Sequence, residues 1–368
     1  MRVLFTGGGT GGHIYPALAI AKCLKLKNAA HEVLFVGTKR GLEHDIVPKE
    51  GFAFQTITVE GMPRKLSWKM LRTLGKLVQG LWQARRIIAD FKPDVVVATG
   101  GYVSGPVALL SAWHKIPVVV HEQNAFPGVT NRILGRWVTR IALTYPETER
   151  YFPQGKCLIT GNPVRPEVLA AKRAEGIKKL NLSSEKKTVL VFGGSRGAHS
   201  INQALIDIAD LIKQQNDLQV VHVTGANDFS WVSGQDKGIQ EVKKGNIIFK
   251  PYLYDMPSAL AATDLVICRS GATTLAELTA RGIPAILIPY PYATDNHQEY
   301  NARTLEKAGA ALVLLDKDLQ GDVLAESLFN LIRDDEKLKA MSVKCRELGK
   351  ITAAADIAEL VEKLGQAD

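Results

Sequence analysis

The sequence predicts an α/β protein built as two Rossmann-like, doubly wound parallel-sheet domains facing across a cleft, and three observations predict it. Short unbroken Val/Ile/Leu runs alternate with helical stretches, the pattern of a parallel sheet covered on both faces. Strand, glycine loop and helix occur twice, as VLFTGGGTGGH from Val3 and VLVFGGSRGAH from Val189. Between them the pattern pauses at the two prolines of GNPVRPEV (161–168), which puts the domain junction near residue 163.

The first half reads VLF (3–5), a helix from about Gly12 to Lys27, EVLFV (32–36), FQTITV (54–59), a long helix from Ser67 to Ala89, DVVVA (94–98), a helix after Gly105, and PVVVH (117–121). The second restarts with TVLVFGG (188–194), followed by LQVVHV (218–223), NIIF (246–249), DLVIC (264–268) and PAILIP (284–289). Helical periodicity returns over Glu336–Leu364, a stretch expected to pack back across the junction. The expected divisions are residues 1–162, 163–340 and a closing helical segment 341–368. Ligands of such sheets bind outside the carboxyl ends of the strands, so the cleft is the expected site.

With 46% hydrophobic and 23% charged residues, 368 residues suffice for two cores. The net charge of +9 calls for an anionic partner, but Lys and Arg are spread along the chain rather than gathered in a stripe, and nucleic acid is not the expected one. Cys23, Cys157, Cys268 and Cys345 form no CxxC pair, so they read as buried thiols of a reducing compartment rather than zinc ligands or a disulfide framework. Val3–Phe5 is too short for a secretory signal, and no apolar run reaches the roughly 18 residues of a spanning helix. The chain therefore reads as cytoplasmic, without a membrane span.

The pattern Gly7-x-Gly9-x-x-Gly12 matches the dinucleotide fingerprint, in which bare backbone lets a diphosphate sit on a helix N-terminus. An NAD site also needs an acid at the end of the second strand, and there the sequence has Gly37-Thr38-Lys39-Arg40. The loop thus fits a diphosphate, or a tight turn alone, better than NAD. His13 follows in the first turn of the helix, beside Thr10. The partial positive charge of a helix start disfavours imidazolium, which suits a general base as well as a packing or capping role. Glu122 in HEQNAFPG (121–128) is a second base candidate; Ala125 excludes an HExxH zinc site.

FGGSRGAH (192–199) can be read as a GxSxG nucleophile elbow around Ser195 with His297 downstream, or as a phosphate-binding loop mirroring the first. The repeat favours the second, because the first loop has no serine nucleophile. CRSGATTLAEL (268–278) sets Ala272 and Thr273 at another strand-to-helix turn, with Glu277 one turn inside, where a carboxylate accepts both ribose hydroxyls or simply complements the helix dipole. YPYATDNHQEYN (290–301) clusters Asp295, Asn296, His297 and Gln298, which suits the hydroxyls of a sugar or a capping loop. Asp316-Lys317-Asp318 hints at a metal clamp but heads a late helix, where capping is expected. Residues 63–86 carry seven Lys or Arg and no acid, with Leu and Trp at helical spacing. That segment is either a core helix with a solvated basic face or an amphipathic surface for anionic lipid, touching it through Trp68, Lys69, Leu71, Arg72, Leu74 and Trp82.

GGGTGGHIYPALA, GGY, HEQNAFPG, GNPVR, FGGSRGA, YDM, CRSGATTLAE and DNHQEYNA, in this order, resemble the family 28 glycosyltransferases of GT-B fold, specifically the N-acetylglucosaminyltransferases of bacterial peptidoglycan synthesis. The resemblance implies transfer of N-acetylglucosamine from UDP-N-acetylglucosamine to the C4 hydroxyl of the muramoyl sugar of undecaprenyl-linked lipid I, with inversion, giving lipid II. It implies a second domain that holds the donor, with Arg165 and Ser195 on the diphosphate or uracil side, Leu253 and Met256 bordering uracil, and Ala272 and Thr273 alongside. Glu277 would take the ribose, and His297 and Gln298 the sugar hydroxyls. Thr10, Gly11, Gly12, His13 and Asn124 would face the reacting centre, and Gly9, Gly101 and Tyr102 the acceptor. Arg196 stands where the family commonly has Gln, and His297 where some members have a second Gln. A peripheral place on the cytoplasmic face of the inner membrane, other wall-synthesis proteins as partners, and no essential cofactor or divalent metal are implied. Within the same fold, the alternative is another UDP-sugar enzyme such as a non-hydrolysing UDP-N-acetylglucosamine 2-epimerase; outside it, a serine hydrolase using Ser195.

Overall fold

The computed structural model describes residues 1–61, 68–194, 197–234 and 241–366. The chain divides into two compact units, Met1–Arg165 with Lys350–Asp368, and Pro166–Gly349. In the first unit the strands are β1 (Arg2–Gly7), β2 (Glu32–Gly37), β3 (Ala53–Thr56), β4 (Val95–Gly100), β5 (Val118–Glu122), β6 (Arg140–Leu143) and β7 (Cys157–Ile159). The helices are α1 (Gly11–Lys27), α2 (Glu43–Lys49), α3 (Trp68–Phe91), α4 (Ser104–Trp113) and α5 (Val129–Leu134). The strands form one sheet in the order β3-β2-β1-β4-β5-β6-β7, and every pairing is parallel.

Alternation along β1 explains the two covering layers. Val3 and Phe5 join Ile14 and Leu18 of α1 on one face, while Leu4 joins Ala84 and Ile88 of α3 and Val107 of α4 on the other. Because both faces are buried, the strands read as continuous apolar runs.

In the second unit the helices are α6 (Pro166–Ala170), α7 (Arg173–Lys179), α8 (His199–Asp207), α9 (Ala209–Lys213), α10 (Phe229–Ser233), α11 (Met256–Ala262), α12 (Ala272–Arg281), α13 (His297–Lys307), α14 (Gly321–Ile332) and α15 (Asp335–Leu348). Its strands are β8 (Lys187–Phe192), β9 (Leu218–Val223), β10 (Val242–Lys244), β11 (Ile247–Lys250), β12 (Leu265–Cys268), β13 (Ala285–Leu287) and β14 (Ala311–Val313), in the order β10-β11-β9-β8-β12-β13-β14. Only β10 runs antiparallel to its neighbour.

The helical stretch expected as one segment from Glu336 is two helices. α15 ends at Leu348 because Gly349 abuts the Thr279 carbonyl of α12, where an added Cβ would lie 2.7 Å away. The chain then enters the first unit as α16 (Ala353–Gly365), whose Ile357, Ala358 and Val361 complete the core beside α1. Glu362 fastens it, accepting from Lys27 at 2.7 Å and His31 at 3.1 Å. Those two bonds hold the Glu362 carboxyl below its ordinary range. The expected strand 54–59 pairs only as far as Thr56. Cys268 and Cys345 are buried as expected, but Cys23 and Cys157 are only half-buried, and all four are free thiols.

Each unit also encloses a histidine without a charged partner. His121 lies in β5, donating from Nε2 to the Gly161 carbonyl at 3.2 Å, and burial pushes its pKa down to about 4. His222 in β9 meets the Asn202 side chain at 2.8 Å, and burial pushes it to about 3. Both pKa values are depressed in the folded state, so below about pH 6.5 the unfolded chain binds protons that the native state refuses, and stability falls with pH. Between pH 7 and 5 each buried imidazole should remove about 2 kcal/mol from the stability of its unit. Urea midpoints measured across that range should fall, and His222→Gln should flatten the decline of the second unit; a constant midpoint would contradict this account.

Candidate active site

Each sheet reverses its strand order once, between β1 and β4 and between β8 and β12. Loops leaving the carboxyl ends of those strands diverge to opposite faces and leave a crevice. Among the described residues, the site residues picked from the sequence, apart from Arg165, the α3 positions and Glu122 at the end of β5, lie in loops or first helical turns at such an edge.

In the first unit the Gly8 amide donates to the Gly100 carbonyl at 3.3 Å, and the Thr99 hydroxyl donates to the His13 carbonyl at 2.8 Å. These bonds lock the β1–α1 and β4–α4 loops together. Two of the five glycines serve this packing rather than a ligand: a Cβ on Gly7 would stand 2.0 Å from Thr99 Oγ1, and one on Gly8 would stand 2.4 Å from Glu43 Oε1. That corrects the place of Gly7 in the fingerprint read from the sequence. Gly9 has φ +86, and its amide donates to Glu43 Oε2 at 2.9 Å, so this donor is committed to that carboxylate. Thr10 caps α1 without a side-chain hydrogen bond, and Gly11 and Gly12 open the helix with bare backbone.

His13 Nδ1 lies 2.8 Å from the Gly8 carbonyl. A carbonyl only accepts, so Nδ1 carries the proton and Nε2 is the acceptor nitrogen of the neutral ring. Gly100 and Gly101 border the ring: a Cβ on Gly100 would lie 3.0 Å from Nε2, and one on Gly101 3.4 Å from Nδ1. Tyr102 follows as an exposed side chain.

Glu122 is not placed as a base. Its carboxylate is buried and accepts from the Asn124 amide at 3.0 Å, Asn124 Nδ2 at 3.1 Å, the Gly128 amide at 3.0 Å and Asn131 Nδ2 at 2.8 Å. Four donors on two oxygens make it the organiser of the loop that presents Asn124. Arg165 falls in the first unit, not the second, and its guanidinium stacks 4.9 Å over the ring of Tyr15 on α1.

In the second unit, Gly193 and Gly197 after β8 sit where backbone passes too close for a side chain. A Cβ on Gly193 would lie 2.2 Å from the Ala198 amide, and one on Gly197 2.2 Å from the Thr224 carbonyl. Ser195 and Arg196 lie outside the described residues. After β12, Ala272 opens α12, the buried Thr273 hydroxyl has no hydrogen-bond partner among the described residues, and Glu277 is buried one turn on. Ser270 Oγ donates to the Gln298 carbonyl at 2.7 Å, and the Tyr290 amide donates to Gln298 Oε1 at 3.0 Å, which joins the starts of α12 and α13. His297 Nδ1 donates to the Thr294 carbonyl at 2.7 Å, leaving Nε2 as its acceptor. Leu253 and Met256 sit half-buried after β11, beside the edge-on pair Tyr252 and Tyr254.

Asp316 makes an ion pair rather than the expected cap. Its carboxylate pairs with Arg269, which also donates to the Ile288 and Pro289 carbonyls and to Ser200 Oγ. Among the described residues no group of three or more His, Cys, Asp or Glu is placed to hold a metal ion.

Sequence reasoning missed Glu43, and it missed Asn131. Glu43 leaves α2 to fill the place at the tip of β2 where an acid was sought and not found. Its only signal was an acid following the glycine-bracketed GTKRG (37–41).

On α3, Leu74, Val78 and Trp82 form an exposed stripe four residues apart, with Val78 67% and Trp82 64% exposed. The neighbouring α4 adds exposed Trp113, and α5 adds Val129 and Ile133 followed by Trp137. The side chains of Trp68, Lys69, Leu71 and Arg72 lie outside the described residues. No helix among the described residues is long and apolar enough to cross a membrane.

Comparison with known proteins agrees with this geometry. Residues 3–143 match the glycosyltransferase family 28 N-terminal domain, and residues 188–361 the glycosyltransferase family 28 C-terminal domain. A UDP-N-acetylglucosamine--N-acetylmuramyl-(pentapeptide) pyrophosphoryl-undecaprenol N-acetylglucosamine transferase of Desulforamulus reducens is 48% identical over 99% of both chains. One of the same name from Halothermothrix orenii is 50% identical over 98% of both. The crystal structure of Acinetobacter baumannii MurG matches with a TM-score of 0.76 at 29% identity, covering 98% of this chain and 99% of that one. A UDP-GlcNAc 2-epimerase from Neisseria meningitidis, bound to UDP-GlcNAc, covers 99% of this chain and 100% of its own with a TM-score of 0.67; at 16% identity it bears on the fold alone. The chain belongs to glycosyltransferase family 28, and within it to the N-acetylglucosaminyltransferases whose name those full-length relatives carry.

Proposed function

We propose that this chain moves N-acetylglucosamine from UDP-N-acetylglucosamine to the C4 hydroxyl of the muramoyl sugar of undecaprenyl-pyrophosphoryl-N-acetylmuramoyl-pentapeptide, converting lipid I to lipid II. The observation that carries the mechanism is the tautomer of His13, fixed by the Gly8 carbonyl, in a chain 43–50% identical to transferases of that name. The acceptor oxygen attacks the anomeric carbon, its proton passes to His13 Nε2, and the bond from that carbon to the UDP oxygen breaks with its electrons leaving on UDP. Attack opposite the leaving group inverts the centre.

The second unit holds the donor. The start of α8 with Ser195, helped by Arg165, takes the charge that develops on the diphosphate. Glu277 takes the ribose hydroxyls, with Ala272 and Thr273 at the same helix start. Leu253 and Met256 border the uracil, and His297 and Gln298 hold the sugar hydroxyls. In the first unit Thr10, Gly11, Gly12 and Asn124 face the reacting centre, and Gly101 and Tyr102 the acceptor. The protein works peripherally on the cytoplasmic face of the inner membrane, where the α3 stripe meets anionic lipid. The direct test is radiolabel transfer from UDP-N-acetylglucosamine to a short-chain lipid I analogue, with UDP-N-acetylgalactosamine as control; no labelled product would overturn the reading.

His13→Ala should lower kcat by roughly 10²-fold or more with UDP affinity nearly unchanged. The acid limb of the pH–rate profile should persist in Glu122→Gln, whatever that variant loses in stability, and vanish in His13→Ala; the opposite pattern would return the base to Glu122. At the lipid surface, replacing both Val78 and Trp82 by Glu should weaken sedimentation with phosphatidylglycerol vesicles by roughly tenfold or more. Undiminished binding would exclude this stripe as the contact.

A further inference from the structure

Glu43 carries an inference that no sequence motif announced. It is 1% exposed, opens the short helix α2, and turns its carboxylate back toward the glycine loop. Oε2 accepts from the Gly9 amide at 2.9 Å, and Oε1 accepts from the Thr38 amide and the Thr38 hydroxyl, each at 2.9 Å. The surrounding backbone is cut to fit this one group. A Cβ on Gly8 would lie 2.4 Å from Oε1, one on Gly37 2.4 Å from Cγ, and one on Gly41 2.0 Å from Oε2. Three glycines from two loops therefore wall a single carboxylate, and each of its oxygens bonds a different loop.

We propose that Glu43 is a positioning residue for acceptor binding: it holds the Gly8–Gly9 turn so that the start of α1 and His13 present themselves to a diphosphate-linked acceptor sugar. The physical link is short. Gly9 adopts φ +86 with its amide turned inward to Glu43, and the preceding residue, Gly8, supplies the carbonyl that fixes the His13 tautomer. Without the carboxylate the Gly9 amide loses its buried acceptor, the turn relaxes, and both the helix start and the Nδ1–H partner of His13 move together. The same carboxylate anchors Thr38, so the exposed Lys39 and Arg40 are carried on a loop fixed to the glycine turn. Those two cations offset the negative charge that a buried carboxylate brings near an anionic ligand. The inference rests on the reading of the first unit as the acceptor side.

Glu43→Gln is nearly isosteric but sets an amide N–H₂ against backbone donors. Steady-state kinetics with both substrates varied should show the KM for a short-chain lipid I analogue rising roughly tenfold or more, with the KM for UDP-N-acetylglucosamine and calorimetric UDP affinity within about twofold. Gly9→Ala tests the same turn without touching the carboxylate. Nothing lies within 4 Å of its added Cβ, so its effect comes through the positive φ alone, and it should show the same acceptor-side split. Unchanged acceptor KM in both variants overturns the role of Glu43. A rise confined to the donor KM overturns the acceptor reading of the first unit instead. Equal loss on both sides with a lowered melting temperature in both variants makes Glu43 a stability residue and overturns positioning.

Discussion

The constraint on which the rest depends is that parallel strands all end on the same edge. Once β1, β4 and β5 run side by side with both faces buried, the loops that follow them must emerge together, however far apart they lie in sequence. His13, Gly100 and Glu122 become neighbours for that reason, and in the second unit the loops after β8, β12 and β13 are gathered the same way. Burial supplies the rigidity: a strand whose every residue is enclosed, as in β4 and β5, cannot shift its register without exposing apolar surface. Loop position is thereby inherited from the core rather than built by the loops themselves.

What the sheet leaves unsettled, two buried carboxylates settle. Glu43 and Glu122 use the same device on different loops: an acceptor-only group, enclosed, satisfied by neutral N–H and O–H donors from segments that would otherwise be independent. Hydrogen bonds to a charged acceptor are stronger than neutral ones, and a buried polar group left unmatched is costly, so such a centre tolerates few loop conformations. Glu122 is for this reason committed to its own loop in spite of its place at a strand end. His13 differs in having one ring nitrogen committed to a carbonyl, which defines the acceptor character of the other.

The two sheets, their strand runs and the repeated glycine loops were legible in the sequence because each rests on local pattern: apolar runs, turn residues and helical period. The short strands β6, β7 and β14 were not, since three or four residues carry too little pattern to separate them from loop. At the candidate site, the residues legible in the sequence are those in glycine-rich strand-to-helix turns, His13 among them. Glu43 was not, because its role depends on a helix of seven residues turning its first side chain back onto the loop after the neighbouring strand β1, which no spacing encodes. The glycines misled in the same way: Gly7 and Gly8 look like ligand space in the sequence, and only the packed structure assigns that space to Thr99 and Glu43. Arg165 was placed in the wrong unit because prolines mark a pause in secondary structure, whereas the division between units follows packing, here the cation–π contact with Tyr15.

The covering helices of the first sheet carry a further consequence. A helix on a parallel sheet needs one apolar face, and α3 supplies it with Ala84, Ile87 and Ile88. Leu74, Val78 and Trp82 are then surplus to the fold, exposed on another face, and α5 repeats the arrangement with Val129 and Ile133. Single exposed apolar residues need no explanation, but aligned ones on adjacent helices do. The polyprenyl-linked acceptor proposed above gives one, since such a substrate stays in the bilayer. In the proposed function, apolar side chains contribute insertion and the excess positive charge contributes attraction to anionic headgroups, two terms that add.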